Sequence, residues 1–352
     1  MYQTNTNNTP HNYLFYVTLS YGFSILRPVE KVLKESGHNA AWFIPTGDEA
    51  EQFLLPGERR LLTIAEVKDY SPHAVLTSGD LLPDFFPGIK VQLFHGLDSG
   101  KGGEAHIRGF YDLYCTQSPI KTEPFVKLRQ IHKNFDFVET GWSKLDPFFS
   151  PHSETCKYKK QEPLILYAPT FSKSMTSTTT LFKHIKKIVH TLPWQWIVKF
   201  HPKEVNRVIA MYKELVCNNF QIIEIDDPIP LLQAADVMLS DTSSIVTEFA
   251  LLKKPVVTFR NLQPRNWMFH FSDPRDLERN LKQAFDPSAE KMDEIKEYAK
   301  AMHPYRDGRS SYRVVEAIEK MIISGTDHLA PKPMNLIRKF KIRKKMYYYS
   351  IK

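Results

Sequence analysis

Residues 13–19, "YLFYVTL", form a short unbroken run of apolar, aromatic and β-branched positions, which predicts a buried strand. The following "YGFSILRPVEKVLKESGHNAAWFI" changes to helical spacing, with Ile25, Val29, Val32 and Leu33 on one stripe. Ser24 is the expected N-cap and Gly37 the expected stop before a second strand. Strand, helix, strand is the unit that opens a parallel α/β sheet. "HAVLTSG" and "KVQLFHG" supply two more short strands, each ending in small or polar residues. A second series begins at "PLILYAPT" and continues through "WQWIVKFHP", "FQIIEI", "DVMLSD" and "PVVTF", with helical patterns between several of them.

The pattern predicts an α/β protein of two Rossmann-like, doubly wound lobes, residues 1–150 and 151–330, meeting in the polar "SPHSETCKYKKQEP". In such sheets ligands bind beyond the carboxyl ends of the strands, so the residues just after each strand are where chemistry is sought.

Composition changes this picture at the C-terminus. The formal charge of +8 suggests nucleic-acid binding until it is located: residues 331–352 hold eight Lys or Arg and no acid. Removing those eight from the 47 basic residues leaves 39, equal to the 39 Asp and Glu, so the body is neutral and no nucleic-acid partner is expected. The tail mixes its cations with Met, Leu, Ile, Phe and Tyr, a composition suited to an anionic membrane surface or to a solvated end. A polar start without a signal-peptide core, and no run of about 20 apolar residues, leads us to expect neither export nor membrane spanning. Cys115, Cys156 and Cys217 are widely separated and lack C-x-x-C spacing, which fits a reducing cytoplasm.

Candidate chemistry lies at four strand ends, one of them where Tyr167 leads into Pro169 and Thr170. In "SDTSSIVTEF" a strand breaks into Asp241, Thr242, Ser243 and Ser244 and a helix begins. Its first N–H groups and the three hydroxyls could hold an anion, or Asp241 or Ser243 could simply cap the helix. Glu248, one turn after Ser244, could accept from ribose hydroxyls. Lys199 and His201 in "VKFHPKE" are two apart at a strand end and expected on one side of the sheet, facing a diphosphate. "FHGLDSGKGG" puts four of the 14 glycines within residues 96–103, a loop through which a substrate approaches backbone closely. His95 at its stem is a candidate general base, with Gly96 and Asp98 as acceptor-loop residues. No H-E-x-x-H, G-x-S-x-G or metal-spaced Cys or His is present, so no tightly bound metal or cofactor is expected.

Taken in order, "FHG", "ETGWSKLD", "YAPTF", "KFHP", "LLQAADVMLSDTSSIVTEFALLKKPVV" and "RDGRSSYRVVEAI" resemble the CDP-glycerol glycerophosphotransferases of teichoic acid and capsule synthesis. The resemblance implies a GT-B-like fold with an interlobe cleft, an acceptor-side first lobe and a second lobe that binds a CDP-linked donor. It implies that Ser243, Ser244 and His201 face the donor diphosphate, where the strand-end reading also puts Lys199 and Thr242, that Glu248 holds the ribose, and that His95 deprotonates the acceptor hydroxyl. It also implies a lipid-linked or membrane-bound glycan acceptor, reached peripherally from the cytoplasmic face. Where relatives continue the His-Gly motif with Thr-Pro and a Lys, this chain reads "HGLDSGKGG". The expected function is transfer of glycerol phosphate or a related polyol phosphate with release of CMP. The alternatives are a GT-B glycosyltransferase using another activated sugar, and a non-catalytic scaffold of a polysaccharide assembly complex.

Overall fold

A computed structural model describes residues 9–97, 107–149, 158, 161–225 and 227–349. They divide into two units, each built on one wholly parallel sheet.

The first unit carries strands β1 (Asn12–Tyr16), β2 (Asn39–Phe43), β3 (Arg60–Leu61), β4 (Ala74–Thr77), β5 (Ile89–Leu93), β6 (Leu113–Thr116) and β7 (Asp136–Glu139). Their order is β3-β2-β1-β4-β5-β6-β7, so the winding reverses between β1 and β4. Helices α1 (Tyr21–Glu35), α2 (Ile64–Tyr70), α3 (Pro119–His132) and α4 (Asp146–Phe149) belong to it. All but the first residue of β1 are buried, as its unbroken apolar run requires when a sheet is covered on both faces. Helix α1 buries Ile25, Leu26, Val29 and Leu33 completely, at about 1.5–3 kcal/mol each. It begins four residues earlier than expected: Ser20 is the N-cap, and the Ser24 hydroxyl bonds back to the Tyr21 carbonyl. Gly22 in its first turn lets the helix pass close to Ser78, since a Cβ there would stand 3.2 Å from Ser78 Oγ. Gly37, at φ +80°, follows the C-cap as its expected role as a stop demands.

The second unit has β8 (Leu164–Tyr167), β9 (Gln195–Val198), β10 (Phe220–Ile222), β11 (Val237–Ser240), β12 (Val256–Phe259) and β13 (Phe269–Phe271) in the order β10-β9-β8-β11-β12-β13. Here the winding reverses between β8 and β11. Its helices are α5 (Thr178–Thr191), α6 (Asn206–Lys213), α7 (Ile229–Ala234), α8 (Ile245–Ala250), α9 (Leu277–Phe285) and α10 (Ala289–Met302). The core gathers Tyr167, Trp196, Tyr212, Phe220, Leu239 and Phe259.

The expected boundary at residue 330 is corrected: from Tyr305 onward the chain belongs to the first unit. Helix α11 (Ser310–Ser324) packs on α1 and buries Val314, Val315, Ile318 and Met321. Its first turn is anchored by Asp146, whose carboxylate accepts from Ser310 N–H at 2.8 Å and Ser311 N–H at 2.7 Å. The "ETGWSKLD" and "RDGRSSYRVVEAI" motifs, far apart in sequence, are thus one structural joint.

The basic tail is likewise docked on the first unit through α12 (Leu336–Lys345). Ile342 joins the core, Arg343 Nη2 donates to Asp84 at 2.9 Å, and Lys332 pairs with Asp112. Tyr348 lies on the Phe85 ring, with centroids 4.2 Å apart. The tail's other face stays in solvent, with Leu336, Ile337 and Phe340 each more than half exposed. Among the described residues no helix is long and apolar enough to cross a membrane.

Candidate functional site

In the second unit the motifs collect at the carboxyl ends of three adjacent strands, "YAPTF" after β8, "KFHP" after β9 and "SDTSS" after β11, on both sides of the reversal point. That is where an open α/β sheet leaves a crevice for a ligand.

Asp241 organises this edge. It is fully buried at the end of β11, and its carboxylate accepts from Thr170 N–H at 2.8 Å, Ser177 N–H at 2.9 Å and the Ser177 hydroxyl at 2.7 Å. Burial raises its pKa to about 6 against the downward pull of these bonds. Ser240 Oγ donates to the Ala168 carbonyl and Asn261 Nδ2 to the Asp241 carbonyl, fixing the neighbouring turns. The loop after β8 is therefore tied to the loop after β11 by one buried carboxylate.

This decides the capping question against Asp241, whose side chain is committed to Thr170 and Ser177. The N-cap of α8 is Ser244, in helical backbone conformation and without a side-chain cap bond. Helix α8 has only six residues, so an anion here would be met by individual N–H and hydroxyl donors rather than by a long helix dipole. Thr242 Oγ1 accepts from Leu262 N–H at 3.1 Å, which leaves its own O–H to donate. Ser243 is half-buried and Ser244 exposed, while Glu248 is buried at 8% exposure.

Lys199 and His201 lie beyond the strand, so strict alternation does not place them. Lys199 N–H extends the ladder by one bond to the Tyr167 carbonyl, and His201 sits in a turn closed by Glu204 N–H. His201 Nδ1 accepts from Lys203 N–H at 3.1 Å, so the neutral ring carries its proton on Nε2. Burial first, then the charges of Lys199 and Lys203, hold the imidazole below its ordinary pKa. His201 is thus a neutral N–H donor at pH 7, with its ring 4.3 Å from that of Phe171.

His95 belongs to the first unit, exposed just after β5. The Tyr21 ring lies 5.5 Å from it, and the preceding Phe94 carbonyl accepts from Trp142 Nε1 at 2.9 Å. "ETGWSKLD" therefore braces the stem of the His-Gly motif. Gly96 is described and half-buried; Asp98 lies outside the described residues. Thr170 was among the strand-end residues expected, but Asp241 as an organiser, Ser177 and Tyr21 were missed by sequence reasoning. The one available signal was an Asp that ends an apolar strand run before a Ser-rich turn.

A model of the CDP-Glycerol:Poly(glycerophosphate) glycerophosphotransferase family matches residues 99–262, which contain the whole strand-end constellation of the second unit. Over this span, a little under half of its length, the chain is similar to that family. It is 25% identical over 232 residues to the teichoic acid glycerol-phosphate primase of Bacillus subtilis strain 168, covering 60% of this chain and 58% of the relative. It is 26% identical to the teichoic acid ribitol-phosphate polymerase TarL of Staphylococcus aureus, covering 62% and 43%. The chain thus spans roughly half the length of the curated relatives it matches. Among solved structures, the wall teichoic acid polymerase TagF superposes with a TM-score of 0.64 over 92% of this chain and 91% of that one, at 14% identity. A UDP-N-acetylglucosamine 2-epimerase assignment from Listeria monocytogenes gives 0.65 at 15% identity, covering 93% and 100%. These likenesses establish the fold, the two-lobed GT-B-like α/β class expected from the strand pattern and the family motifs.

Proposed function

We propose that the protein transfers a polyol phosphate, glycerol phosphate foremost, from a CDP-linked donor to a hydroxyl of a glycan acceptor and releases CMP. The observation that carries this reading is the meeting of "YAPTF", "KFHP" and "SDTSS" at the reversal point of the second sheet, inside the span that matches the family. Phosphoryl transfer needs alignment and charge stabilisation more than covalent chemistry. The Lys199 cation, the His201 Nε2–H and the hydroxyls of Thr242, Ser243 and Ser244 are donors of the kind that hold a diphosphate. Glu248 is assigned to the ribose and His95 to the acceptor hydroxyl as general base, with Gly96 and Asp98 in the acceptor loop. TagF has been studied after a CDPG soak, which supports a CDP-linked donor for this chain.

The acceptor in this reading is a lipid-linked or membrane-bound glycan, met peripherally at the cytoplasmic face. Helix α12 supports a membrane contact because Ile342 joins the core of the first unit while Leu336, Ile337, Phe340, Lys341 and Lys344 are all exposed. The test is incubation of the purified chain with a panel of CDP-polyols and a glycan acceptor, following CMP release and the product. Phosphate-linked polyol in the product is expected. Transfer of a sugar from another nucleotide, or no CMP from any CDP-polyol, would overturn the assignment.

A further inference from the structure

The opposite edge of the first sheet holds a second group of side chains. Three histidines stand immediately before three adjacent strands: His38 before β2, His11 before β1 and His73 before β4. The register pairs Asn12 with Asn39 and Tyr13 with Ala74, which brings the three together at one end of the sheet. Helix α11 lays Glu319 onto them. His11 Nδ1 is 3.0 Å from both Glu319 oxygens, His38 Nε2 is 3.6 Å from Oε1, and the Tyr13 hydroxyl bonds the same carboxylate. The His11 ring lies 5.6 Å from that of His38 and 4.5 Å from that of His73.

We propose that His11 Nδ1, His38 Nε2 and the Glu319 carboxylate form a binding site for a divalent transition metal of the zinc class, which fastens α11 to the amino edge of the first sheet. One ligand atom from each residue lies within 4.8 Å of the others. Zinc bonds of about 2.0–2.2 Å in tetrahedral array place ligand atoms roughly 3.3 Å apart, and the two nitrogen–carboxylate separations, 3.0 and 3.6 Å, lie on either side of that value. Two imidazoles and one carboxylate suit zinc, cobalt or nickel better than magnesium or calcium. Tyr13 supplies the hydrogen bond that orients the ligating carboxylate. His73, whose ring lies 4.5 Å from that of His11, also lines a cavity of about 450 Å³ with Lys90, Asp112 and Lys332.

In the metal-free chain His38 Nδ1 accepts from His11 N–H at 3.2 Å, so its proton sits on Nε2 and points toward Glu319. On binding, that proton moves to Nδ1 and the contact with the His11 N–H is given up, while the His11 Nδ1 proton leaves to its other ring nitrogen or to solvent. The site lies away from the carboxyl ends of the strands, so its role is structural, joining a helix from the end of the chain to strands from its beginning.

The test uses the tag-free full chain, stripped with a chelator and titrated with Zn²⁺ alone by calorimetry and with Co²⁺ by visible absorption. One saturable site of micromolar affinity or tighter is expected, with the intense ligand-field bands of four- or five-coordinate Co²⁺. His38→Ala and Glu319→Gln should each weaken binding at least about tenfold, while His132→Ala, on exposed α3 surface, should not. Absence of a saturable site, or variants that bind as the parent does, would overturn the proposal and leave a metal-free hydrogen-bond cluster. Should a variant unfold, the parent Co²⁺ spectrum decides: intense bands support the site, and only the weak bands of six-coordinate Co²⁺ reject it.

Discussion

Replacing Asp241 by Asn tests how the second unit assembles its anion edge. The rise of the Asp241 pKa from 3.8 to about 6 comes from burial, against three hydrogen bonds that favour the charged form. It corresponds to about 3 kcal/mol. The sign follows from linkage: between pH 4 and 6 the folded chain retains a proton that the unfolded chain has released. Stability therefore falls as pH rises through that window, and the full cost of the buried charge persists above about pH 6. Asn cannot ionise, so Asp241→Asn removes this cost. It also turns an amide NH₂ toward one of the donors at Thr170 or Ser177, at a loss of roughly 1–3 kcal/mol. At pH 7 the two effects nearly cancel, and the pH dependence becomes the discriminating quantity. Urea unfolding of both proteins, followed by tryptophan fluorescence from pH 4 to 7.5, should show the parent losing up to about 3 kcal/mol relative to the variant as pH rises. A gap that stays constant across that range would refute the buried, ionising carboxylate.

His95→Ala should lower turnover roughly 100- to 10,000-fold while calorimetric CDP-glycerol binding stays near that of the parent; full activity would remove His95 from the mechanism. Ser243→Ala with Ser244→Ala should weaken donor binding without lowering the melting temperature, and unchanged affinity would count against the proposed diphosphate contacts. Changing Leu336, Ile337 and Phe340 together to Ser should abolish cosedimentation with anionic liposomes and preserve turnover of a soluble acceptor, since the docked face of α12 is untouched; equal cosedimentation would sink the membrane reading. Ile342→Ala acts on that docked face instead and should destabilise the first unit by about 2 kcal/mol or more, read by thermal unfolding.

Much of the architecture was legible because parallel strands covered on both faces must be written as short apolar runs, and "YLFYV", "LILY" and "VMLS" stand out as such. β3, β6, β7 and β13 escaped notice: β3, β7 and β13 are short or only half-buried, whereas β6 is a fully buried run of four. Ser24 is not the cap, although a serine before an apolar stripe is the usual start signal: α1 begins after Ser20, and the Ser24 hydroxyl bonds back to the Tyr21 carbonyl inside the helix.

By itself, then, the sequence determined two doubly wound lobes, the strand ends at which donors collect and the family motifs in their order. Only the tertiary structure decided that residues 305–349 return to the first unit, because a helix's apolar stripe says that it will be buried but not against what. Asp146 beneath α11, Asp241 between two loops and Glu319 among three histidines are contacts between residues 64 to 308 positions apart. Such contacts depend on strand order and register, which short-range periodicity does not encode.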